Sequence, residues 1–186
     1  MQTPFPRTTS YQWDPTYVRV TEIKILGVTV TNHMSVGGHV TNILQSCARS
    51  MYALRVLRSH GLSNTDLQTV FRAVVVSKLT YASPAWIGFT TATERQRINN
   101  FLDRCIRAGY SREYKFSELC ELADSRLFSK IIYNQEHLLY AFLPPESTAR
   151  QTHDLRPRRH CYSLPIKGLK LNCSNFVTRL LFLDIY

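Results

Sequence analysis

The order of apolar and polar residues changes its period along the chain. From Tyr17 it alternates in twos, with Val18 and Val20 set against Tyr17 and Arg19, then Ile23 and Ile25 on either side of Lys24. Leu26 and Gly27 interrupt the phase, and Val28 and Val30 resume it. Side chains alternate faces along a strand, so this period predicts two strands, over 17–20 and 23–31, with Gly27 as a bulge. Two strands are marginal in water, so the pair requires more sheet or a helix against one face. Residues 1–16 contain Pro4, Pro6 and Pro15 and read as irregular.

The period then lengthens. Val40, Ile43, Leu44, Cys47, Met51 and Leu54 recur at three- and four-residue steps, one stripe of a helix from Val36 to His60 that Gly61 stops. Ser63, with Asp66 in the capping-box position, opens a second helix with a stripe of Leu67, Val70, Phe71, Val74 and Leu79. Pro84, which has no N–H to donate, is expected to end it. Thr91 and Glu94 form a second capping box before a third helix with Ile98, Phe101, Leu102, Cys105 and Ile106 apolar and Gly109 as its stop. The short loops predict antiparallel neighbours.

Tyr81 and Trp86 bracket the Pro84 corner. Large rings beside a helix end in apolar surroundings are expected to plug the junction between helices two and three, a structural role, in preference to stacking on bases. Ser117 is read as the cap of a further helix, Leu119 to Leu143, continuous or broken near Asp124–Ser125 and ended by Pro144–Pro145. Residues 146–175 read largely as loop, and Phe176, Val177, Leu180, Leu181, Phe182 and Ile185 as a segment docking back on a core. The expected fold is therefore mainly α: an irregular N-terminus and β-hairpin over 1–34, a three-helix bundle over 35–110, and a helical, basic C-terminal segment over 111–186.

Composition narrows the class. Apolar residues make up 44%, enough for a core. The five cysteines include no CxxC pair, and Cys47, Cys105 and Cys120 fall on apolar stripes, so a reduced intracellular protein, nuclear or cytoplasmic, is expected. The start, MQTPFPRTTS, has no apolar run of the secretory kind, and no stretch reaches the ~18 apolar residues of a membrane span. Lys and Arg exceed Asp and Glu by ten, which favours a polyanionic partner, nucleic acid before membrane.

Half of that excess lies between Arg150 and Lys170, including Arg156, Arg158, Arg159 and Lys167. A basic segment of this kind neutralises phosphates without reading sequence. Arg97, Asn100, Arg104 and Arg107 step by three, four and three, and are expected on the helix face opposite the apolar stripe. Arg55 and Arg58 sit near the end of helix one, where they also suit its dipole.

Catalytic patterns are missing. The six aspartates, Asp14, Asp66, Asp103, Asp124, Asp154 and Asp184, include no adjacent pair and no DxD spacing, so two-metal chemistry has no visible carboxylate pair. No phosphate-loop, dinucleotide or H-E-x-x-H motif occurs. His153, His160, Cys161 and Cys173 match no zinc spacing. No metal, cofactor or small-molecule substrate is implied, and no catalytic residue is assigned.

The segments LGVTV, GGHV at a helix start, ALRVLRSHGLS, SKLTYASPAW and INNFLDRCIRAGY, in this order, resemble the thumb region of non-LTR (LINE-type, jockey-like) retrotransposon reverse transcriptases. LRPRRH and FVTRLLFLDIY further on are similar to the C-terminal part of such polymerases. The resemblance implies a fragment of an RNA-directed DNA polymerase. The family's catalytic aspartate pair precedes the LGV hairpin, about where this chain begins, so no activity of the chain alone is expected. What carries over is the thumb's hold on a primer–template duplex, through its backbone and without regard to sequence. Lys24, Arg55, Arg58, Arg97, Arg104, Arg107, Arg156, Arg158, Arg159 and Lys167 are the expected phosphate contacts. Two alternatives stand beside it: a retroelement remnant with a protein-interaction role or none, and part of an active enzyme whose palm comes from a longer precursor.

Overall fold

The computed structural model describes residues 20–111, 115–147, 160–166, 168 and 170–183. Strands β1 (Glu22–Ile25) and β2 (Val28–Thr31) pair antiparallel, Glu22 opposite Thr31 and Ile25 opposite Val28. The predicted second strand is thus the whole hairpin. Leu26 and Gly27, read as a bulge, are its two-residue turn, both with positive φ (46° and 88°). Such a turn matches the twist of the strands it joins, and glycine takes that φ without strain. Tyr17 to Arg19 lie outside the described residues, and Val20 precedes the strand. The expected helical cover is there: Val28 is buried and Val30 packs against the same core as the next helix.

That helix, α1 (Gly37–Ser59), buries Val40, Cys47, Met51 and Leu54 of the predicted stripe, with Ile43 and Leu44 partly buried against the same core. It stops where the backbone turns left-handed at Gly61, with Leu62 N–H returning to the Leu57 carbonyl at 3.2 Å. Helix α2 (Asn64–Phe71) starts at Ser63, whose hydroxyl accepts from Asp66 N–H at 3.2 Å and donates to the Asp66 carboxylate at 2.6 Å.

The second helix departs from its predicted stripe. Leu67, Phe71, Val75 and Leu79 are buried, and Val74 is exposed. A strict four-residue repeat overshoots the 3.6-residue turn and would drift off the core. A π-helical turn, Arg72–Val76, takes up the excess and returns the chain in phase to α3 (Ser77–Thr80).

Pro84 does not end this helix. The break comes earlier, where Ala82 adopts a left-handed φ of 49°. Pro84 lies instead in the first turn of α4 (Ser83–Trp86), where a missing N–H costs nothing. Helix α5 (Ala92–Arg107) carries the full capping box, Thr91 Oγ1 accepting from Glu94 N–H and Glu94 accepting from Thr91 N–H. Tyr110 N–H returns to the Cys105 carbonyl past Gly109 and closes it.

Helix α6 (Phe116–Tyr133) begins at Lys115, two residues before the predicted cap Ser117. It runs unbroken through Asp124 and stops at Asn134, well before Pro144–Pro145, and a short 3₁₀ turn follows at Tyr140–Phe142. Phe116 and Cys120 join the core of the first three helices, which therefore continues past Tyr110. Two short helices, α7 (Lys170–Ser174) and α8 (Phe176–Leu181), complete the described chain. Phe128, Tyr162, Leu180 and Leu181 form a second, smaller core, so the last segment docks as expected. The fold is mainly helical with one short antiparallel hairpin, as the sequence predicts.

The docking of α7 and α8 rests on two contacts that periodicity does not announce. A Cβ on Gly88 would sit 1.9 Å from the Ser174 carbonyl oxygen, so only glycine admits the α7 backbone there. Arg179 pairs with the buried Asp124 carboxylate and also donates to the Pro84 carbonyl at 3.2 Å. One guanidinium thus ties α8 to both α6 and α4.

Candidate nucleic-acid interface

Helices α1 and α5 pack side by side and leave a trough of about 560 Å³ between them. One wall is α5, with Arg97, Asn100, Asp103, Arg104 and Arg107; the other is α1, with Thr41, Leu44, Gln45 and Ala48. A second hollow of about 280 Å³ shares Ala48 and Arg104 with the first, and extends it to Arg55, Met51, Phe101 and Cys105. The predicted steps of three and four do bring Arg97, Arg104 and Arg107 onto one face of α5. That face turns toward α1, however, and does not look directly away from the protein.

The arginines differ in what already holds them. Arg97 donates to the Thr41 hydroxyl across the trough at 3.2 Å, and Arg107 to its own helix at the Asp103 carbonyl, 3.3 Å away. Arg55 and Arg104 make no hydrogen bond or ion pair among the described residues. Among the described residues Asp103 is the one acid in the trough wall, against three arginines. Arg58 is committed elsewhere. It donates to the Ala108 carbonyl at the end of α5 (2.9 Å) and lies over the Tyr110 ring, 4.4 Å from its centre. It fastens α1 to the end of α5.

Lys24 lies away from these arginines, in a hollow of about 370 Å³ beneath the hairpin, with Gly27, Thr29, His39, Asn42, Lys78 and Tyr81. Lys78, which the sequence places with Leu79 on the stripe of the second helix and not among the phosphate contacts, donates to Ser50 Oγ at 2.9 Å. His39 is buried, its Nδ1 accepting from Thr29 N–H at 3.5 Å. Burial first, and the Lys24 charge second, push its pKa below the usual histidine value, so the ring here is neutral. Arg156, Arg158, Arg159 and Lys167 lie outside the described residues.

The Tyr81–Trp86 pair divides. Trp86 is buried, edge-on to His39 and stacked on Phe116, and its indole N–H donates to the Tyr81 carbonyl at 2.9 Å. The rings against it come from α1 and α6. The Tyr81 ring is not buried: it is more than half exposed, and its hydroxyl donates to the Leu26 carbonyl at 3.1 Å, tying the hairpin turn to the end of α3. The helix break at Ala82 turns the two rings to different sides.

Among the described residues no other chemistry gathers. Burial raises the thiol pKa of Cys47 and Cys105 to about 11 and of Cys120 to about 12, which keeps all three protonated and unreactive at neutral pH. His160 uses both ring nitrogens, Nδ1 accepting from Tyr162 N–H and Nε2 bonding the Leu181 carbonyl at 3.0 Å. Among the described residues, no three His, Cys, Asp or Glu side chains come together as a metal site, and no helix is long and apolar enough to cross a membrane. Comparison with protein-family models, curated proteins and solved structures finds no match for this chain.

Proposed function

We propose that the chain binds double-stranded nucleic acid through its phosphates, without reading sequence, and that Arg55, Arg97, Arg104 and Arg107 are the principal contacts. The observation that carries this reading is the alignment of these four guanidinium groups along one trough with a single carboxylate among them. Arginine presents a planar fork of donors that suits phosphate oxygens. Arg55 and Arg104 have every donor available for that purpose. The order of motifs that resembles a non-LTR reverse-transcriptase thumb supports the same function, holding a duplex for a palm carried elsewhere. In this reading the chain grips and does not catalyse: Asp66 caps a helix, Asp103 stands alone, and Asp124 is taken by Arg179.

Lys24 and Lys78 extend the positive surface on the hairpin side of α1, and the basic segment at Arg156–Arg159 adds charge that needs no fixed geometry. Fluorescence anisotropy with two labelled duplexes of unrelated sequence tests the proposal. Both should bind at low salt, with affinities equal within about threefold, since backbone contacts carry no sequence information. Absence of binding at about 50 mM salt, where such contacts are strongest, would refute it.

A further inference from the structure

The trough has a second property that a polyanion does not use. Between its arginine edges the floor is apolar: Leu44 and Ala48 in the larger hollow, Met51, Phe101 and Cys105 in the smaller. Ala48 is exposed, and it lies where the two hollows meet. A small side chain at the waist of a groove between two helices leaves the room that a third helix needs to approach. Phosphate oxygens gain nothing from apolar carbon, whereas an amphipathic helix buries its own apolar stripe there.

We infer that this trough is also a docking groove for an acidic amphipathic helix of a partner protein, with apolar residues on the Leu44–Ala48–Met51 floor and acids against Arg97, Arg104, Arg107 and Arg55. Charge selects the occupant. Among the described residues four arginines face one aspartate, so a basic or neutral helix leaves the rim unpaired and an acidic one pairs it. Helix and duplex share the rim arginines and exclude each other, so the helix displaces nucleic acid from this face. The inference goes beyond the proposed duplex binding and does not depend on it.

The probe is a synthetic helical peptide of about 20 residues, long enough to hold helix in water, with leucines at i, i+3, i+4 and i+7 and glutamates beside them. Titration calorimetry on the full chain should show binding with a negative heat-capacity change, the mark of apolar burial. A control peptide with serine for leucine should bind at least about tenfold more weakly. Ala48→Trp, which fills the floor from an exposed position and should leave the far-UV spectrum and melting temperature unchanged, should weaken the leucine peptide by about tenfold. Equal binding of the leucine and serine peptides, no binding of either, or insensitivity to Ala48→Trp would each overturn the inference. Peptide binding without duplex binding would sustain it and refute the proposed function; duplex binding without peptide binding would do the reverse.

Discussion

Arg179 and the arginines of the trough put one side chain to opposite uses. Arg179 keeps a quarter of its side chain in solvent and faces Asp124, whose side chain is only 4% exposed. Arg55 and Arg104 are exposed, and among the described residues the only acid lining the trough is Asp103. The first arginine is spent inside the fold. The others contribute little to it, because an exposed charge is solvated whether or not the chain is folded. A charge that folding leaves unpaired is one that a ligand can take up. Position, more than residue type, separates a guanidinium that builds the protein from one that serves it.

The largest expected effect comes from breaking the pair. Asp124→Ala leaves Arg179 without its counter-charge against α6 and should lower the unfolding free energy by about 3 kcal/mol, read by urea denaturation. Replacing both residues with leucine should recover most of that loss, because the uncompensated charge, more than the absent attraction, is what costs stability. Arg58 is the intermediate case. Arg58→Ala removes a hydrogen bond to Ala108 and a contact with Tyr110, and should cost about 1 kcal/mol in the same measurement.

A smaller effect is expected from His39. Burial and Lys24 both disfavour its protonated form, so its folded pKa lies below the unfolded value of 6.5. The unfolded chain then binds the proton more readily. The contribution of His39 to stability is complete above the unfolded value and is lost as pH falls from there through the depressed folded one. Denaturation midpoints should fall between pH 7.5 and pH 5.5, and His39→Asn should flatten that dependence. The smallest effect on stability belongs to the trough: Arg97→Ala and Arg104→Ala should each stay within about 0.5 kcal/mol of the parent. A loss as large as that of Asp124→Ala would erase the contrast between the two kinds of arginine.

The sequence made the helices legible where two signals coincided. For α1 the apolar stripe and Gly61 agree, and for α5 the stripe agrees with both the capping box and Gly109. Where one signal stood alone it misled. Pro84 reads as a terminator because proline cannot continue a helix, yet a proline in a first turn starts one, and the left-handed Ala82 that decides the matter leaves no mark in composition. Leu26 hid the hairpin turn in a similar way: a leucine at positive φ is not the residue by which such turns are recognised. The π turn was hidden because Val74, Val75 and Val76 suit a stripe at any phase.

The site was legible in part. The spacing of Arg97, Arg104 and Arg107 put them on one face, but spacing within one helix cannot tell which neighbour that face meets, so the trough and its apolar floor stayed hidden. Arg58 and Arg55 read alike in the sequence. They part in what they engage: Arg58 donates to the Ala108 carbonyl and lies over the Tyr110 ring, about 50 residues on, whereas Arg55 lines the hollow beside both without a hydrogen bond among the described residues. The pair between Asp124 and Arg179, 55 residues apart, has no local signature at all.

The central claim is that the trough arginines are held in reserve for phosphate. It is tested most directly by the salt dependence of duplex affinity for the parent and for the variant in which Arg97, Arg104 and Arg107 are all alanine. Each lost phosphate contact should make the slope of log affinity against log salt shallower by about 0.9, so the variant should differ from the parent by two to three in slope (about 0.9 per arginine) with its melting temperature unchanged. Parallel lines for the two proteins would contradict the account.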